Sequence, residues 1–109
     1  MANTIIVQTT IDSRDGAQRI GQALVERRLA ACAQISGPIA STYWWQGRME
    51  HAEEWICAVK TKQELYESLE RAIRELHPYE TPEIVATTII AGSQSYLEWV
   101  EAETSALVF

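Results

Sequence analysis

The segment His77-Pro78-Tyr79-Glu80-Thr81-Pro82-Glu83-Ile84 carries an imidazole, a phenol and two carboxylates on one short link. Its prolines at 78 and 82 each fix a backbone φ, so the link is stiff, and binding groups concentrate on rigid polar loops. The residue before a proline is driven out of the helical region, so a preceding helix must end near His77. That leaves the imidazole at a helix C-terminus, where the negative dipole end favours a cation. Imidazole is a borderline ligand for Cu(II) or Zn(II), which makes His77 the candidate metal contact, with Tyr79, Glu80 and Glu83 close in sequence. A structural histidine bonded to backbone carbonyls is the competing reading of the same residue.

Other donors add little to a metal site. Cys32 lies in Ala30-Ala31-Cys32-Ala33, which reads as buried, and His51 lies near a hairpin tip. The histidines lack helical ligand spacing and no Cys-x-x-Cys occurs, so a closed four-ligand zinc site is not encoded. Catalysis fares no better. Ser41, Ser93 and Ser95 have only His51 and His77 as prospective bases. Glu53 and Glu54 are adjacent in a strand and point to opposite faces. Gly16 is isolated, and Thr9-Thr10-Ile11-Asp12-Ser13 lacks phosphate-loop spacing. Nucleophile, base and stabiliser are not assembled, so a non-enzymatic protein is expected.

A binding site for a small molecule is the third chemistry. Tyr43, Trp44 and Tyr79 supply stacking walls, and Lys60, at the end of a strand, supplies an anchor for an anionic group. Lys60 paired with Glu53, Glu54 or Glu80, with the aromatics simply packed, is the plainer alternative.

The elements that must position these groups follow from periodicity. Asn3 to Ile11 reads as a strand; Asp12 or Ser13 then caps a helix in which Ala17, Ile20, Gly21, Leu24 and Val25 keep helical spacing as far as Arg28 to Leu29. Ala31 to Trp45 and Arg48 to Thr61 form a long hairpin about a Gln46-Gly47 turn. Gly37-Pro38 interrupts its first arm, as a bulge or edge position does. Without a bulge, Trp44 faces Met49, Tyr43 faces Glu50, His51 faces Thr42, and Cys57 faces Ser36. Cys32 then lies about 13 Å from Cys57's partner, too far for a disulfide. Gln63 to Leu76 is a second helix with a Leu65, Leu69, Ala72, Ile73, Leu76 stripe. Ile84 to Ala91 is a strand apolar on both faces, and Gln94 to about Thr104 is a last helix.

This order, βαββαβ plus a helix, is the ferredoxin-like α+β sandwich, one domain over residues 1–109. Two helices cover one sheet face, and the two-sided last strand asks for a partner chain on the other. Tyr43, Trp44 and Trp45 near the hairpin tip ask for the same cover. A formal charge of −6 argues against nucleic acid and anionic membranes as partners. The longest apolar run is far short of a membrane span, and Met1-Ala2-Asn3-Thr4 does not open a signal peptide. With two cysteines kept apart, a cytoplasmic protein is expected.

Several stretches stand in order at compatible spacing: Leu29-Ala30-Ala31-Cys32, Ser41-Thr42-Tyr43-Trp44-Trp45-Gln46-Gly47, Glu53-Glu54, Lys60-Thr61, the whole His77-to-Ile84 segment, and Ser95-Tyr96-Leu97-Glu98-Trp99. With them the chain, from about Ile5 to Trp99, resembles the CutA family of divalent-cation tolerance proteins. The resemblance implies a ferredoxin-like subunit in a tight homotrimer similar to PII signalling proteins. It implies a non-enzymatic, cytoplasmic role in tolerance of copper and other divalent metals, with no cofactor required and a divalent cation such as copper as the candidate ligand. The alternative it implies is a PII-like module binding a small molecule in clefts between subunits. Thr9 and Leu76 stand where some relatives carry a cysteine and a second histidine.

Overall fold

The computed structural model describes residues 3–105. Strand β1 is Thr4–Ile11, helix α1 Arg14–Glu26, strand β2 Cys32–Trp45 and strand β3 Arg48–Lys62. A 3-10 turn, Gln63–Leu65, leads into helix α2, Tyr66–Leu76; strand β4 is Val85–Thr88 and helix α3 Gln94–Glu103. The four strands lie in the order β2-β3-β1-β4, every neighbour antiparallel. This is the ferredoxin-like sandwich expected from the element order.

Local chemistry explains the boundaries. Of the two candidate caps of α1, Ser13 serves: its Oγ accepts from the Gly16 amide at 3.0 Å. Gly21 lets α1 lie close on the sheet, since a Cβ there would meet the Ala33 Cβ at 2.8 Å. Gln46 and Gly47 both take positive φ, 50° and 79°, which is the tight turn that matches strand twist. From it the register runs as expected: Trp44 opposite Met49, Tyr43 opposite Glu50, Thr42 opposite His51. The register then shifts by one residue between Ile39 and Ser36, around the cis Gly37-Pro38 peptide. Cys57 therefore faces Ile35 rather than Ser36, and Cys32 faces Lys60. Both thiols are free.

The core lies between the sheet and α1 and α2. Ile5, Val7 and Ile11 of β1 and Cys57 and Val59 of β3 meet Ile20, Leu24, Leu69 and Ile73. Leu76, expected as the last residue of the α2 stripe, is exposed instead. The other sheet face carries the alternate residues, such as Cys32, Gln34, Ile6, Gln8, Ile56, Ala58 and Lys60. The subunit's own helices do not leave this face wholly bare, as the sequence suggested. Helix α3 lies over one end, with the Tyr96 hydroxyl 3.5 Å from Cys32 Sγ and Glu101 3.7 Å from Lys62.

Two expectations about β4 change. It is shorter than Ile84 to Ala91, pairing with β1 only from Val85 opposite Gln8 to Thr88 opposite Ile5. All four of its residues are exposed within the subunit, so its apolar composition is not matched by burial there. β2 and β3 meanwhile run on past the end of β1, whose last pair is Ile11 with Trp55. Residues 39–54 thus form a two-stranded arm, and Trp44 near its tip is 74% exposed. No described helix is long and apolar enough to cross a membrane.

Candidate functional site

The stiff link after α2 packs beside the root of this arm. His77 ends the helix with extended φ and ψ of −89° and 134°, while its amide still reaches the Ile73 carbonyl at 2.8 Å. Its imidazole turns inward and is 7% exposed. Nε2 lies 2.8 Å from the Thr10 carbonyl oxygen, and Nδ1 lies 3.1 Å from the Tyr79 amide nitrogen. A carbonyl only accepts and an amide N–H only donates, so Nε2 carries the proton and Nδ1 offers the lone pair. Both nitrogens are therefore committed within the subunit, and a metal reaches Nδ1 only by displacing the Tyr79 amide.

What the imidazole holds in place is Tyr79. The two rings meet edge to face with centroids 4.6 Å apart. The Tyr79 hydroxyl donates to Glu54 Oε2 at 2.9 Å. Burial pushes the phenol pKa up, and the hydrogen bond to Glu54 and its negative charge push it further. Glu54 is 6% exposed, a carboxylate taken out of water by the wall it belongs to. On the other side of the link, Gln8 Nε2 donates to Glu83 Oε2 at 2.9 Å.

Between arm and link lies an open cavity of about 730 Å³. Tyr43, Trp44, Trp45, Glu54, Tyr79 and Glu80 are in its wall. Four residues singled out from sequence for ligand contact, Tyr43, Trp44, Tyr79 and Glu80, are thus brought together. Lys60 is not among them. It stands on the sheet face opposite Cys32 and donates to Gln34 Oε1 at 2.6 Å, so neither an anion anchor in this cavity nor a pair with Glu53, Glu54 or Glu80 is formed. His77 supports the wall from behind.

Sequence reasoning missed Glu54 as a wall residue. The signal was present: alternation along β3 puts it on the face of Ile56 and Ala58, where a lone carboxylate is out of place unless it meets a partner.

The remaining donors do not assemble. His51 Nδ1 lies 3.2 Å from Thr42 Oγ1 on the exposed arm. Burial pushes the Cys57 thiol up to about 11, which makes it a poor ligand near neutral pH. Among the described residues no three His, Cys, Asp or Glu side chains are grouped to hold a metal ion.

Comparison with known proteins places this geometry. The family model described as CutA1 divalent ion tolerance protein matches residues 5–103. The "Divalent-cation tolerance protein CutA" of Thermus thermophilus is 40% identical over 99 residues, 91% of this chain and 96% of that one. The "Protein CutA, chloroplastic" of Arabidopsis thaliana is 35% identical over 93% of this chain, which spans only 56% of that longer protein. The solved Thermus thermophilus structure superposes with a TM-score of 0.91 at 39% identity, covering 94% of this chain and 99% of that one. The chain belongs to the CutA1 family.

Proposed function

We propose that this CutA1-family chain is a divalent-cation tolerance protein: a non-enzymatic, cytoplasmic homotrimer that binds or responds to metal ions, copper foremost. The observation that carries the reading is the match over 91% of the chain to a relative bearing that name. The two free thiols suit a reducing compartment.

The case for assembly is physical. One subunit leaves β4, part of the open sheet face and the aromatic arm without cover. A two-stranded ribbon is marginal in water by itself, and unpaired edges invite association. Neighbouring copies that cover the open faces and grip the arms remove both problems. The number three comes from the resemblance to PII-like trimers. Light scattering at micromolar concentration is expected to give three subunit masses, and a single mass overturns the assembly.

For the metal, calorimetric titration of the full chain with Cu(II) is the test. Saturable binding at a whole-number ratio per trimer supports the reading; its absence removes copper. Loss of binding in His77→Ala with the trimer intact assigns the cation to the proline link, at the cost of the Tyr79 amide contact. Loss in His51→Ala instead assigns it to the exposed imidazole of the arm.

The cavity favours a second reading, a PII-like signalling module that binds a small molecule where subunits meet. Its size and its combination of aromatic rings with hydroxyls and carboxylates suit a ligand site. A shift in thermal melting across a metabolite panel tests it.

A further inference from the structure

The wall of the cavity narrows the class of ligand. Glu54, Glu80 and Glu83 line it, and no lysine or arginine does. Two of these carboxylates accept one bond each from a neutral donor, Tyr79 for Glu54 and Gln8 for Glu83. A carboxylate has about four acceptor positions, so each keeps capacity for a further donor. None of the ion pairs among the described residues involves any of the three. Asp12 adds to the negative field, being near enough to act on the Tyr79 phenol. Lys60, the one cation suggested for this site from sequence, is held at Gln34. Within one subunit an anionic ligand would find carboxylates and no cationic side chain in this wall.

The rest of the wall separates two kinds of cation. A hydrated metal ion seeks converging oxygens, and these carboxylates do not form a grouped metal site. Tyr43, Trp44 and Trp45 instead bring aromatic rings to the wall, a surface that attracts a poorly hydrated organic cation and covers its carbon body. Buried charge with aromatic surface is the pairing that recognises alkylammonium groups.

We propose that this cavity binds a small organic ammonium ion, its charged head at Glu54 with Glu80 and Glu83 flanking, its carbon body against Tyr43, Trp44 and Trp45. The proposal rests on the reading of the cavity as a ligand site and specifies what that site takes.

The test follows the indole N–H signals of the full-length protein by NMR at matched ionic strength. The four tryptophans include two in the wall, while Trp55 and Trp99 stand outside it as internal controls. Three probes share one carbon chain: n-butylammonium, 1-butanol and butyrate. Butylammonium is expected to shift the Trp44 and Trp45 signals saturably, about tenfold or more tighter than butanol. Glu54→Gln is expected to weaken it by a similar factor. Should that variant misfold, Glu80→Gln with Glu83→Gln, on the link surface, is expected to weaken it severalfold. Equal response to butanol, or no loss in either carboxylate variant, overturns the proposal. Tighter binding of butyrate overturns it while leaving a ligand site in place. If none of the three moves the wall indoles, the proposal falls; a metabolite that still shifts them would then leave the ligand-site reading standing.

Discussion

The two faces of the sheet are built from the same strands and end differently. On the helix side, Val7, Val59, Ile20, Leu24, Leu69 and Ile73 are almost wholly withdrawn from water. The buried Thr61 hydroxyl there donates to the Leu29 backbone carbonyl at 2.7 Å. On the other side, Val85 is 47% exposed, and the arm carries exposed Tyr43, Trp44, Trp45 and Met49. Alternation along β3 alone assigns Cys57 and Val59 to the first environment and Ile56, Ala58 and Lys60 to the second. One chain therefore finishes one core and presents the start of another, and the cavity lies at the margin of the unfinished side.

Core truncation on the finished side should have the largest effect. Leu24→Ala is expected to cost about 2–5 kcal/mol in denaturant unfolding, because Leu24 has no exposed surface and leaves a cavity. Ile90→Ala, at a residue 94% exposed, is expected to change the same measurement by less than about 0.5 kcal/mol. If Ile90→Ala costs as much as Leu24→Ala, Ile90 is covered in the assembled protein and the contrast drawn within one subunit fails there.

His77 tests the boundary between the two regions. His77→Ala removes bonds to the Thr10 carbonyl and the Tyr79 amide at a buried position. A loss of roughly 2–4 kcal/mol is expected, together with altered fluorescence of the wall aromatics. Full stability in that variant would show that the link holds itself and that the imidazole is spare.

The thiols sharpen the contrast through pH. Cys57 has its pKa raised by burial from 9.0 to about 11, so the folded state favours its protonated form. Its contribution is whole below pH 9.0 and is lost as pH rises toward about 11, by roughly 2–3 kcal/mol. Cys57→Ala is expected to flatten that alkaline arm. Near neutral pH an alkylating reagent should modify Cys32, which is half-buried, well before Cys57. Equal rates would mean that the finished face opens as readily as the other.

One expected effect has the opposite sign. Thr9 Oγ1 is buried on the helix side without a hydrogen-bond partner among the described residues. Thr9→Val keeps the shape and removes the orphan, so unfolding is expected to become harder by about 1 kcal/mol. A loss of stability would reveal a partner for that hydroxyl.

The regular parts of this architecture were legible in the sequence. Helical spacing from Ala17 to Leu24, the Gln46-Gly47 turn and the arm register next to it follow from local rules, because each depends on neighbours a few residues away. The proline link was legible as a rigid carrier of chemistry, and Tyr43, Trp44, Tyr79 and Glu80 do meet. What was not legible depended on distant pairing. Lys60 was placed near an anion site because its strand position was known and its neighbour Gln34 was not. The burial of His77 depends on Thr10, far away along the chain, whose carbonyl waits at the end of β1. The early end of β4 is set by where β1 begins, and composition carries no trace of that.

The one-residue slip at Ser36 to Ile39 has an effect out of proportion to its size. Below it, even-numbered residues of β2 look toward the open side; above it, odd-numbered ones do. It works as a phase inverter along β2, so that the odd-numbered Tyr43 and Trp45 share with Glu54 the face that the even-numbered Cys32 and Gln34 occupy further down. Removing a single residue there would leave the turn, the helices and nearly every pairing intact. Both rings would keep their face, because β3 runs unbroken from Glu54 through Glu50 to the turn, so the slip lets β2 change phase while the aromatic wall stays where its partner strand sets it.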